Sequence, residues 1–110
     1  MTQPNPSSSS NWFVPQGHPC DSAEMKAVVE KRYSVKAEYI YTSPVRHLFG
    51  DVLWEGPVCV FKLVGHPTSN RAFAWSTFDG HEEQHHVALE SRAVPEAAEA
   101  VRLALSSGLL

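Results

Sequence analysis

A chain of 110 residues holds one domain and leaves no room for a second. With 43% hydrophobic and 19% charged residues it can build one thin core under a surface of net charge −3. Residues 1–56 carry five basic and six acidic groups and residues 57–110 carry four and six, so no basic block marks a nucleic-acid surface.

The amino end, MTQPNPSSSS, has neither a basic nor an apolar stretch of the kind that forms a signal peptide. No apolar run approaches the ~18 residues of a membrane span, and the expectation is a soluble, cytoplasmic protein with no membrane partner. Residues 1–19, rich in Pro, Ser and Asn, read as a disordered or loosely docked tail. Within it, Trp12-Phe13-Val14 either docks on the domain or offers a short peptide anchor to a partner. The folded unit is expected over residues 20–107.

Cys20 to Tyr33 reads as an amphipathic helix, with Asp21 as N-cap, Glu24 completing a capping box, and Cys20 and Met25 at the staple positions. Val35 to Thr42 alternates as a half-buried strand, which Ser43-Pro44 is expected to break. Val52-Leu53-Trp54 reads as a short strand closed by the turn Glu55-Gly56-Pro57. Val58 to Val64 is apolar on both faces, as a central strand covered on both sides would be. After the loop Gly65–Asn70, Arg71 to Phe78 forms the next strand, with Phe73 and Trp75 on one face and Ala72 and Ala74 on the other, where a helix can pack closely. Asp79–Glu83 is a turn. Gln84 to Glu90 is an alternating strand, with His85, Val87 and Leu89 inward and Gln84, His86 and Glu90 outward. Pro95 to Leu105 is a helix stopped by Ser106-Ser107-Gly108. The expected class is α+β: an N-terminal helix, four or five antiparallel strands and a C-terminal helix, an α-β-β-β-α-like order.

Cys20 and Cys59 can form at most one bridge. Without a secretory signal or a cysteine framework, Cys59 reads as a buried free thiol. The segment His81-Glu82-Glu83-Gln84-His85 matches H-E-x-x-H, the helical zinc motif of metallopeptidases. Its Asp79-Gly80 approach and strand-like flanks point to a hairpin, so zinc hydrolysis through His81, Glu82 and His85 is the weakest alternative and no cofactor is expected. His66 in its Gly-His-Pro turn and Arg71 could meet an anion, against the plainer role of local turn and strand-end residues. If both helices cover one sheet face, Phe73 and Trp75 lie on an open one. Trp54, His66, Arg71, Phe73 and Trp75 are therefore the candidate binding residues for an unknown protein partner.

From Gly56 to Leu105 the element order resembles the double-stranded-RNA-binding domain. That resemblance implies a topology and a basic cluster at the start of the second helix. Here those positions are Val94-Pro95-Glu96-Ala97-Ala98-Glu99, neutral or acidic, so a nucleic-acid-binding domain stands as an alternative only. The Gly65-His66-Pro67 and Arg71-Ala72-Phe73-Ala74-Trp75 segments are similar to short uncharacterised bacterial proteins, a likeness that implies no activity. The residues favour a small non-catalytic protein-binding module, a regulator or inhibitor of a larger assembly, working through a sheet face or edge.

Overall fold

A computed structural model describes residues 16–78 and 80–107. It is an α+β domain with strands β1 (Gly17–His18), β2 (Lys36–Phe49), β3 (Val52–Val64), β4 (Arg71–Phe78) and β5 (Glu83–Leu89), and helices α1 (Ser22–Tyr33) and α2 (Ala97–Ser106). All pairings are antiparallel, in the order β2, β3, β4, β5, with β1 on the same edge of β4 as β3. The Trp12-Phe13-Val14 reading lies outside the described residues.

The expected breaks at Pro44 and Pro57 are corrected. β2 and β3 run unbroken through both prolines, which face each other across the hairpin. The backbone of Leu63 donates to Asn70 O toward β4, so odd-numbered β3 residues aim their backbone groups away from β2. Pro57 is odd-numbered, so the Pro44–Pro57 pair exchanges no ladder bonds. Neither missing N–H leaves a gap in the β2–β3 ladder. The hairpin bends instead at a bulge between Tyr39 and Tyr41.

Gly17 and His18, placed by sequence in the tail, form a strand. β3 pairs with β4 only from Cys59 to Lys62 and then departs; β1 takes over β4's edge at Ser76 and Thr77. Gln16 fills the remaining gap with its side chain. Its Nε2 donates to Leu53 O at 3.1 Å and its Oε1 accepts from the Glu55 amide at 2.8 Å, imitating a strand neighbour. The approach demands glycine on both sides, because a Cβ on Gly17 or Gly56 would overlap the other residue's Cα.

The helices lie on opposite faces. Met25 and Val29 of α1 cover Ala37, Cys59, Phe61, Leu63, Ala72 and Ala74. Ala97, Ala100, Val101 and Ala104 of α2 cover Val45, Trp54, Val58, Val60, Phe73 and Trp75. The close helix expected over Ala72 and Ala74 is there, and a second helix covers the opposite side. α1 begins at Asp21, whose side chain accepts from the Ala23 amide at 2.7 Å. It ends at Ser34 in the left-handed conformation, φ 54°. α2 starts after Glu96, two residues later than Pro95 suggested. No described helix is long and apolar enough to cross a membrane.

Candidate functional site

The site grows out of two neighbouring residues of β4. Ser76 and Thr77 are buried hydroxyls pointing to opposite faces, and each meets a histidine of β5. Ser76 Oγ lies 3.0 Å from His85 Nδ1 on the α1 side and donates to Met25 Sδ at 3.6 Å. Thr77 Oγ1 lies 2.8 Å from His86 Nε2 on the α2 side, where His86 stacks on Trp75 with ring centroids 5.4 Å apart. Burial lowers the His86 pKa from its usual value, helped by the Arg32 cation and His85, which favours a neutral ring.

These contacts hold β5 against β4, and no described strand pairs with its other side. The Glu90 amide donates to Arg71 O at 3.0 Å, which sets the phase of the strand. Gln84, His86 and Ala88 therefore turn their backbone groups to β4, and Glu83, His85, Val87 and Leu89 turn theirs outward. Among the described residues β5 pairs with β4 alone. A groove of about 580 Å³ follows this edge between Arg32 and Tyr33 at the end of α1 and Leu103 and Ala104 of α2 with its cap Ser107. Trp75, His86 and Ala88 also line it, and among the described residues no carboxylate does. The indole Nε1 of Trp75 is buried without a hydrogen-bond partner among the described residues.

The sequence candidates fare unequally. Trp54, Phe73 and Trp75 are fully buried beneath α2, which corrects the expectation of an open aromatic face. Trp75 alone of the three reaches the groove. His66 is a turn residue: its Nδ1 accepts the Thr68 and Ser69 amides at 3.2 and 3.1 Å, and its ring meets Tyr33 edge-on. That arrangement commits Nδ1 to the local turn, the plainer of the two roles read from the sequence. Arg71 is exposed at the start of β4, opposite Lys62.

The zinc-hydrolase arrangement is also corrected. His81 and Glu82 lie in a turn and His85 on a strand, so no helical face presents the two imidazoles together. His85 instead turns Nε2 toward Glu24 Oε2 at 4.0 Å. Ligand atoms of Glu24, Glu83 and His85 lie within 4.8 Å of one another and are the described side chains best placed to hold a cation.

Arg32, His86 and Leu103 escaped sequence reasoning. Strict alternation along β5 assigned His86 to solvent. The available clue was the small stripe of Ala97, Ala100 and Ala104, which leaves space above Trp75 and His86. A scan against protein-family models, a search of curated proteins and a search of solved structures each return no match.

Proposed function

We propose that the protein is a small non-catalytic binding module, a regulator or inhibitor that captures an extended segment of a partner protein along β5. The observation that carries this reading is a strand edge, unpaired among the described residues, running through a groove between two helices. Four outward residues, Glu83, His85, Val87 and Leu89, offer backbone donors and acceptors at the spacing of a new strand. Apolar walls at Leu103 and Ala104 suit alternate side chains of that strand.

Charge complementarity narrows the occupant. Among the described residues the groove is lined by Arg32 and two histidines and by no Asp or Glu, so the fitting segment is apolar with a carboxylate near Arg32. The opposite edge is less suited to pairing. β2 bears a bulge at Ile40, Pro44 and the charges of Lys36, Glu38 and Arg46, devices that discourage strand addition.

Selection of random peptides by display on the full chain, followed by amide chemical-shift mapping of a selected peptide, tests this. The expected shifts centre on residues 84–89, Arg32 and Leu103, and Leu103→Glu abolishes binding while thermal melting stays cooperative. Failure to enrich any peptide, or shifts centred on β2, overturns the reading.

A further inference from the structure

Two thiols that sequence reasoning left apart meet in the fold. Cys20, just ahead of α1, and Cys59, in the middle of β3, place their Sγ atoms 3.4 Å apart, and both are free. We propose that Cys20 and Cys59 are an oxidisable pair that closes to an intramolecular disulfide and staples the N-terminal arm to the central sheet.

Both partners are held in place. Cys59 is buried on a strand paired on both sides, to Thr42 and to Ala74. Cys20 sits between β1, anchored by the two Gln16 hydrogen bonds, and Asp21, the cap of α1. The two sulfurs therefore face each other where β1 and α1 meet the β2–β3–β4 sheet. Forming the bond asks them to close by about 1.4 Å to the ~2.05 Å of a disulfide.

The exposure of the pair sets the order of events with a low-molecular-weight disulfide such as oxidised glutathione as oxidant. Half-buried Cys20 is the sulfur that such an oxidant reaches. Its thiolate attacks one sulfur of the oxidant, forming a mixed disulfide and expelling one glutathione thiolate. Cys59 then loses its proton, attacks the Cys20 sulfur and releases the second glutathione. The two protein thiols lose two electrons and two protons in all, and the oxidant is reduced to two thiols. Burial first, then the hydrogen bond to and charge of Cys59, push the Cys20 thiol up to about 12, so thiolate is scarce near neutrality. Oxidation accordingly accelerates about tenfold per pH unit between pH 7 and 9.

Full-length protein incubated with oxidised glutathione, then denatured, alkylated and digested for mass spectrometry, provides the test. The expected product has lost two hydrogens, yields a linked Cys20–Cys59 peptide and melts higher by on the order of 10 °C, because the bridge restrains a long loop in the unfolded chain. Dithiothreitol reverses the shift, and neither Cys20→Ser nor Cys59→Ala shows it. Persistence of two alkylatable thiols, a lasting glutathione adduct on Cys20, or disulfide-linked dimers as the main product each overturns the proposal. Because the readout needs no peptide, it stands or falls apart from the β5 groove.

Discussion

His86 shows how far a single side chain's setting can depart from its sequence pattern. It alternates as a solvent-facing residue, yet it stacks on buried Trp75 and bonds a buried threonine. Its folded pKa lies below the ordinary value of about 6.5, so between the two values the folded chain binds fewer protons than the unfolded chain. Stability therefore rises with pH through that window, is complete above 6.5, and erodes as pH falls below it. Urea midpoints measured at pH 7.5, 6.5 and 5.5 should decline in the wild type, with a shallower decline in His86→Gln. Trp75 makes the complementary point. Its neighbours in sequence allowed either core or interface, and only the position of α2 decides. Trp75→Ala is expected to cost about 3–5 kcal/mol in urea unfolding, the loss typical of a large buried aromatic; a loss under 1 kcal/mol would contradict its burial.

Among the elements, the β2–β3 hairpin separates what sequence rules convey from what they omit. Alternation identified β3 correctly, since the two faces of Val58–Val64 match the two core clusters. In β2 it held only at Ala37: the bulge between Tyr39 and Tyr41 breaks the period and leaves both tyrosines exposed. The prolines misled because their penalty depends on which edge the missing N–H faces, and that depends on register. Pro44→Ala should thus leave the ladder intact and cost only about 0.4–1 kcal/mol, through the freer unfolded chain. Gly56→Ala should be worse, about 1–3 kcal/mol of overpacking, since its new methyl meets Gly17 and the Trp54 ring. Chemical denaturation of the pair distinguishes them, and equal costs would show that the tight glycine contact relaxes freely. β1 was invisible for a different reason. Two residues have no period, and their pairing is set by a gap between β3 and β4 that no local pattern records.

Across the whole molecule, helix, sheet and helix stack in three layers. Element order was legible because each strand and helix carries its own apolar rhythm. The face on which each helix lands was not, since a run such as Arg71–Phe78 is apolar on both sides and accepts cover from either. The candidate site suffered most: it is a strand edge, made of backbone groups that every sequence possesses, and only assembly reveals which ones stay unpaired. The same assembly also dictates a sequence in time. The β2–β3 hairpin joins neighbours through a tight turn, whereas β1 reaches its partners on β4 across most of the chain. Closing so long a loop is entropically dear until both flanking strands stand. Gly17 should then make its contacts after the folding barrier. In stopped-flow chevrons, Gly17→Ala should quicken unfolding and leave the refolding limb nearly unchanged; a slowed refolding limb would place this contact in the nucleus. On the expected outcome the strand Gly17–His18 is the last piece to seat and the first to leave.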